Sequence, residues 1–336
     1  MPKQNLTLTG KKTLFQAALA RAKKIAGGGI FVITNKSGAA SAADQVRGDK
    51  KCAFVIEPFG RNTAPAVGLV SLFSDRNSSD AVVVVIPSDH VIADENRFYR
   101  VINTAVAEAD KTDSIILLGI RPHSASSAYG YIGVKERLGR VSSARSHEVT
   151  NFIEKPGRAK AARIISSGRY FWNSGIFIFK ASAMLSVLKR RMPVLYKGLR
   201  ALPSHKDKTR FKNALKVLYG KIRARSLDYA VLEKDEDIRV IPADIAWNDV
   251  GSFDSVAGLT RKDRHGNSLF GKHVGLESED NVIFAGKDCL VGTIGVSDII
   301  VVATPDAVLV CDRKKAQDVR KLVEKIGKDR KLRDHL

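Results

Sequence analysis

The sequence predicts an α/β protein in which a mixed, mainly parallel sheet is flanked by helices and followed by a small, separate all-β domain. Strand and helix periodicities alternate through the first 260 or so of 336 residues, and such alternation specifies a sheet with crossover helices. Val82-Val83-Val84-Val85-Ile86 is a continuous β-branched run, the pattern of a buried parallel strand. After about residue 260 the helical spacing gives way to short apolar runs broken by glycine and polar residues. The expected division is therefore residues 1–260 and 261–336.

Each element has a local reason. From Thr13 to Ala26, Leu14, Ala17, Ala18 and Ile25 recur at helical spacing, and Gly27-Gly28-Gly29 supplies a stop. Ile30 to Ile33 and Phe54 to Ile56 read as strands. Asn62 or Thr63 can cap a helix running towards Phe73. A helix from about Phe98 to Ala109 precedes a strand from Ser114 to Gly119. In the C-terminal part, Asn281 to Phe284, Cys289 to Val291, Ile299 to Val302 and Ala307 to Val310 read as strands, and a basic amphipathic helix from Lys315 to about Ile326 closes the chain. Ligands of such sheets bind beyond the carboxyl ends of the strands.

Composition narrows the functional classes. With 44% hydrophobic and 27% charged residues the chain can bury a large core. Its longest apolar run falls far short of the ~20 residues of a membrane helix, and no charged-then-apolar leader opens it. Three widely spaced cysteines, Cys52, Cys289 and Cys311, fit a reducing compartment, so a cytoplasmic protein without membrane partners is expected. A net charge of +21 would suit a nucleic-acid binder. However, the basic residues are spread, and the densest run, Arg313 to Arg333, contains no aromatic platform. It reads as a solvated helix face, and the general positive field draws in phosphates instead.

The residue types also suggest chemistry. Asp89 follows the Val82–Ile86 strand, and Asp249 lies in a Trp-Asn-Asp-Val-Gly turn. Two such carboxylates can hold one Mg²⁺ together with substrate phosphates, although Ser88-Asp89-His90 alone reads more readily as a turn or cap. Lys3 and Lys155 are cations available for phosphates. Glu154, Asn173 and Gly130 suit a sugar: hydroxyls need carboxylate and amide partners, and a ring needs close backbone approach. Taken singly, Asn173 also reads as a turn residue and Glu154 as a solvated strand end. Arg61, Asn62 and Thr63 open a helix, whose amides suit an anionic or polar ligand or simply need caps.

Seven runs in fixed order carry a resemblance. They are Glu57-Pro58-Phe59-Gly60-Arg61-Asn62-Thr63-Ala64-Pro65, Pro87-Ser88-Asp89-His90, Tyr129-Gly130-Tyr131-Ile132, Ile153-Glu154-Lys155-Pro156, Trp172-Asn173-Ser174-Gly175, Asp228 to Lys234, and Trp247-Asn248-Asp249-Val250-Gly251-Ser252. Together the sequence resembles the mannose-1-phosphate guanylyltransferases, which join a sugar 1-phosphate to GTP and release pyrophosphate. The resemblance implies a Rossmann-like, glycosyltransferase-A-like nucleotidyltransferase fold. It assigns Asp89 and Asp249 to Mg²⁺, Lys155 to the sugar phosphate and Lys3 to the nucleotide phosphates. Glu154, Asn173 and Gly130 go to the sugar, and Arg61, Asn62 and Thr63 lie beside base and ribose. GTP and mannose 1-phosphate are the implied partners, and a homo-oligomer is a further expectation. Asp228 and Lys234 match without a derivable role.

Two departures accompany it. Met1-Pro2-Lys3-Gln4 opens the chain where the family has already spent a strand and a Gly-Gly-x-Gly-Thr-Arg-Leu-x-Pro loop, so Val82 to Ile86 is expected to have an unpaired edge. A start placed too late is the favoured account, over a truncated, non-catalytic relative or a strand supplied by another chain. Ala128 stands where the family carries glycine. Two alternatives to a GDP-mannose-forming enzyme stay open. One is a non-catalytic sugar-nucleotide-binding regulator, and the other is a related hexose-1-phosphate nucleotidyltransferase of different base or sugar choice.

Overall fold

The computed structural model of the chain describes residues 3–5, 7, 12–46, 51–78, 81–140, 145–205, 207–233, 237–251, 253–260, 262–286, 288–329 and 332. Lys234 and Ser252 of the seven runs, and Met1 and Pro2 of the opening segment, lie outside the described residues. The chain divides into two compact units, one of Phe15–Trp247 and one in which Lys3–Leu14 joins Asn248–Leu336.

The larger unit carries, in chain order, α1 (Leu14–Ile25), β1 (Ile30–Thr34), α2 (Lys36–Ala43), β2 (Cys52–Ile56), α3 (Thr63–Asn77), β3 (Val82–Val85), β4 (Val91–Ile92), α4 (Glu95–Lys111), β5 (Ile115–Ile120), β6 (Tyr131–Val134), β7 (His147–Ile153), α5 (Arg158–Ser167), β8 (Tyr170–Lys180), α6 (Ala181–Arg191), α7 (Pro193–Arg200), α8 (Lys208–Lys221) and β9 (Ile238–Pro242). A π-helical turn spans Asp228–Leu232, and β10 (Trp247–Asn248) ends the unit. The main sheet runs β3-β8-β5-β9-β7-β6. It is mixed: β5–β9 is parallel, while β3–β8, β5–β8, β6–β7 and β7–β9 are antiparallel.

Residues on alternate sides of each strand feed two cores. Ile115, Leu117, Phe171, Phe177, Phe179 and Val240 face α3, α6, α7 and α8, whereas Ile116, Leu118, Trp172, Ile178 and Ile241 face α4. This is the period of two expected of a sheet covered on both faces.

The Val82–Val85 strand corrects the reading made from its composition. It pairs antiparallel with β8 and is half-buried, not a fully buried parallel strand. Among the described residues β8 is its sole strand partner, and β1 and β2 form a separate parallel pair. Among the described residues its other edge therefore carries no strand, as expected. The β1–β2 pair packs Phe15 and Leu19 of α1 on one face, and Phe31, Ile33 and Val55 join the α3-side core on the other. α2 went unread because Lys36 to Ala43 is alanine- and serine-rich, without an apolar stripe; its sequence signal is the Asn35 cap, whose side chain accepts from Gly38 N at 2.7 Å.

In the smaller unit, α9 (Phe253–Ala257) precedes β11 (Ser268–Phe270), β12 (Lys272–Leu276), β13 (Val282–Ala285), β14 (Leu290–Ile294), β15 (Ile299–Ala303) and β16 (Val308–Asp312). β11, β13 and β15 stack in parallel, as do β12 and β14, while β16 returns antiparallel onto β15. Buried asparagines stitch successive turns together. Asn267 Oδ1 accepts from Asn281 N (2.9 Å), and Asn281 Oδ1 accepts from Ile299 N (3.1 Å), so buried amides find partners within the stack. The closing helix expected from Lys315 starts later. Arg313–Asp318 is 3₁₀, and α10 spans Val319–Lys328.

Candidate functional site

The sheet itself builds one end of the site. Between Leu117 and Gly119 the β5–β8 register shifts, which sets Gly119 opposite Asn173 and Ile120 opposite Trp172. Such irregularities re-aim side chains. The buried Ser174 hydroxyl donates to Leu118 O at 2.7 Å within this irregular stretch. Asn173 N donates to Gly130 O (2.8 Å), its Oδ1 accepts from Gly175 N (3.0 Å), and its Nδ2 donates to Asp228 Oδ1 (2.9 Å). One amide hydrogen and one lone pair of Asn173 are left over for a ligand.

Glu154 closes this group from the end of β7. A Cβ added to Gly130 would lie 2.6 Å from Glu154 Oε2 and 2.9 Å from Phe152 Cζ, so glycine is what lets the carboxylate occupy its place. Lys155 Nζ stands 3.5 Å from Glu154 Oε1; the Glu154 side chain is 10% exposed and that of Lys155 62%. Lys155 has φ of +42°, a left-handed turn that non-glycine residues adopt at a cost.

Burial pushes the Glu154 carboxyl above its ordinary range, the charge of Asp228 pushes further, and Lys155 opposes both. Burial likewise raises Asp228, against hydrogen bonds from its own backbone, Ser226 and Asn173 and the charge of Lys155. Two desolvated carboxyls side by side are costly, and such pairs concentrate at functional sites.

The opening of α3 adjoins this cluster through the chain just ahead of Asp228. Thr63 Oγ1 accepts from Leu227 N (2.9 Å), and Arg225 N donates to Arg61 O (3.1 Å). Asn62 is the N-cap at φ +68°, with its side chain accepting from Thr63 N (2.9 Å). Arg61 Nε donates to Tyr219 O (2.8 Å), and the Tyr219 hydroxyl donates to Glu57 Oε1 (2.8 Å). Arg61 is therefore anchored in the scaffold as well as placed beside the site. Burial raises the Glu57 carboxyl.

The Asp89 loop lies at the same end. A Cβ on Gly175 would be 3.4 Å from Pro87 Cγ and 3.8 Å from His90 Cε1, which places the loop against the Asn173–Gly175 turn. His90 is fixed from both sides. Its Nδ1 accepts from Trp247 Nε1 (3.1 Å), and its Nε2 lies 3.7 Å from Asp89 Oδ1. In the neutral ring the accepted bond leaves the proton on Nε2, facing the carboxylate. Both contacts fix the orientation of the ring beside Asp89.

Lys3 and Asp249 fall in the smaller unit, where the structure brings them together: Lys3 Nζ donates to Asp249 O. The Asp249 carboxylate accepts from Gly251 N (3.1 Å), Asn248 Oδ1 accepts from Val250 N (2.7 Å), and Val250 has φ of +54°. The strained turn thus holds Asp249 by its own hydrogen bonds. Among the described residues no cluster of three or more His, Cys, Asp or Glu exists. The Asp89 carboxylate, 36% exposed, is a hard oxygen donor of the kind taken by a cation that keeps water and phosphate as its other ligands.

Asp228 is the residue whose role sequence reasoning missed. Its run was matched, but burial of a carboxylate beside Glu154 cannot be read from type or spacing. Ala128 is exposed, and its N–H is bonded to Ser126 Oγ (3.1 Å). A cavity of about 620 Å³ lined by Arg97, Arg100, Arg121 and Asp244 contains none of the residues expected at the site. None of the three cysteines forms a disulfide, and no described helix is long and apolar enough to cross a membrane.

The nucleotidyl transferase family matches residues 1–266, and the mannose-phosphate isomerase/GMP-like beta-helix domain matches residues 271–326. A mannose-1-phosphate guanylyltransferase of Escherichia coli K12 is 37% identical over 339 residues, covering 98% of this chain and 69% of the relative. The xanthan biosynthesis protein XanB of Xanthomonas campestris is 36% identical over 328 residues, 97% of this chain and 68% of its own. A solved structure described as mannose-1-phosphate geranyltransferase from Thermus thermophilus superposes with a TM-score of 0.83 at 29% identity, over 97% of this chain and 92% of that one.

Proposed function

From the premise that the chain belongs to the nucleotidyl transferase family, as a mannose-1-phosphate guanylyltransferase with a C-terminal β-helix domain, we propose that it joins mannose 1-phosphate to GTP, giving GDP-mannose and pyrophosphate. The observation that carries the sugar half of this reading is the Gly130–Glu154–Asn173–Asp228 cluster, where two desolvated carboxyls and a half-engaged amide offer hydrogen-bonding groups to hydroxyls. Residues 1–260 hold the transferase chemistry and residues 261–336 the β-rich part.

In the reaction, an anionic oxygen of the sugar phosphate forms a bond to the α-phosphorus of GTP, and the bond from that phosphorus to the bridging oxygen of pyrophosphate breaks. The attacking oxygen carries no proton at neutral pH, so alignment and charge neutralisation dominate. Glu154 and Asn173 orient the sugar, and Lys155 meets its phosphate. Lys3 meets the nucleotide phosphates, and Arg61, Asn62 and Thr63 contact base and ribose. Asp89 and Asp249 are the groups that would hold a divalent cation, Mg²⁺, which supplies charge neutralisation at the phosphates when bound.

The reading places the protein in the cytoplasm and as a homo-oligomer. Supporting the latter, Val274, Leu276, Leu290 and Ile294, on the paired strands β12 and β14, are all at least 60% exposed.

A substrate panel tests the choice against a related transferase. Mannose 1-phosphate with GTP is expected to give at least tenfold higher kcat/KM than glucose 1-phosphate or than UTP and dTTP. Equal or better rates with another pair would replace the substrates named here.

A further inference from the structure

Arg21 occupies the inward face of α1 in the same row as Leu14, Ala18 and Ile25, where helical spacing calls for an apolar residue. Its side chain is 3% exposed. Nη2 donates to His90 O at 3.1 Å, Nη1 lies 3.6 Å from Glu95 Oε1, and Nε has no hydrogen-bond partner. Burial pulls its pKa down, with Glu95 and Tyr99 opposing. Burying a guanidinium this incompletely satisfied is expensive, and an apolar side chain of similar volume would serve packing at less cost.

Neutralising Glu95 does not account for Arg21 either. Glu95 already receives the Tyr99 hydroxyl at 3.2 Å and has Lys24 Nζ at 3.9 Å. What Arg21 adds beyond Glu95 is a bond to the main-chain oxygen of His90, the residue beside Asp89. With Trp247 holding the His90 ring and Arg21 holding its carbonyl, the loop is pinned at side chain and backbone together.

We propose that Arg21 is a positioning residue that fixes the Asp89–His90 loop, and through it the Asp89 carboxylate, in the geometry that receives the cation. This rests on the reading of Asp89 as a cation ligand. Outer partners of metal ligands typically contribute ~10- to 100-fold in metal affinity.

The test is a Mn²⁺ titration of the full chain, read by electron paramagnetic resonance with saturating GDP-mannose present, on the wild type, Arg21→Met, Arg21→Lys and Asp89→Asn. Arg21→Met is expected to weaken Mn²⁺ binding at least tenfold. Arg21→Lys, which keeps a donor within reach of His90 O, is expected to recover part of that loss. The KM for mannose 1-phosphate should stay within about twofold in both, whereas loss of packing alone would move the melting temperature and leave Mn²⁺ affinity unchanged. If Arg21→Met does not fold, Arg21→Lys decides, with an intermediate loss expected. Wild-type Mn²⁺ affinity in every folded Arg21 variant, beside a loss in Asp89→Asn, would overturn the proposal. Unchanged affinity in Asp89→Asn would overturn the reading of Asp89, and the proposal with it.

Discussion

Glu154 and Asp228 sit where stability and recognition pull in opposite directions. Both carboxyls are raised by burial, Glu154 further by its neighbour. A folded-state pKa above the unfolded one means the native state holds its proton longer. The stability this gives is full below the ordinary carboxylate range and is lost as pH rises through the raised folded values. Glu154→Gln should therefore melt at least as high as the wild type at pH 7, and its melting temperature should vary less between pH 4 and 7. The same substitution and Asn173→Ala should weaken mannose 1-phosphate binding by about tenfold or more while leaving GTP binding within about twofold, measured by calorimetry. Wild-type sugar binding in both variants would count against the cluster. As pH falls below the raised Glu154 value, sugar binding should weaken in the wild type and stay flat in Glu154→Gln. For the cation, Asp89→Asn and Asp249→Asn should abolish divalent-cation-dependent turnover with nearly unchanged melting temperature; full activity in either would remove that residue from the site. Residue types alone left Asn173 a turn residue and Glu154 a solvated strand end, and the family resemblance grouped them with Gly130; the structure makes the three neighbours. Asp228 was not legible, since its significance comes from burial and from a partner 55 positions away.

At the scale of elements, α3 shows how a helix start becomes part of a site. Its Asn62 cap was readable from residue type, and the cap is where it was expected. What local pattern could not supply is the far side of the contact, in which Thr63 Oγ1 takes Leu227 N, immediately before Asp228. Thr63→Val should leave that amide without an acceptor and cost ~1–3 kcal/mol, visible as a lower midpoint in chemical denaturation, and sugar binding should weaken with it. Thr63→Ser should restore both. An unchanged midpoint in Thr63→Val would show that the contact does not tie α3 to the Asp228 turn. The strand at Val82–Val85 was found but misread in direction, because β-branched composition reports burial and not the partner's polarity. The closing helix was found too early, since a basic 3₁₀ turn and an α-helix differ by hydrogen-bond pattern, which spacing of charges does not reveal.

Across the whole molecule, the ordered motifs converge by topology. The ends of β5 and β7, the irregular stretch within β8, the start of β6 and the α3 opening bring Asn173, Glu154, Gly130 and Thr63 into one neighbourhood of the larger unit, while Lys3 and Asp249 meet in the smaller one. The stack of parallel strands in the smaller unit was legible only as an all-β part, because parallel stacking depends on long-range register, here marked by asparagines 14 residues apart at Asn267 and Asn281. The central claim is catalysis of nucleotidyl transfer and not mere binding of a sugar nucleotide. The most direct measurement is continuous pyrophosphate release by the purified chain with GTP, mannose 1-phosphate and Mg²⁺, with product identification by mass spectrometry. The account predicts pyrophosphate and GDP-mannose in equal amounts, dependent on both substrates. Binding of GDP-mannose with no pyrophosphate released would contradict it and make the protein a sugar-nucleotide binder.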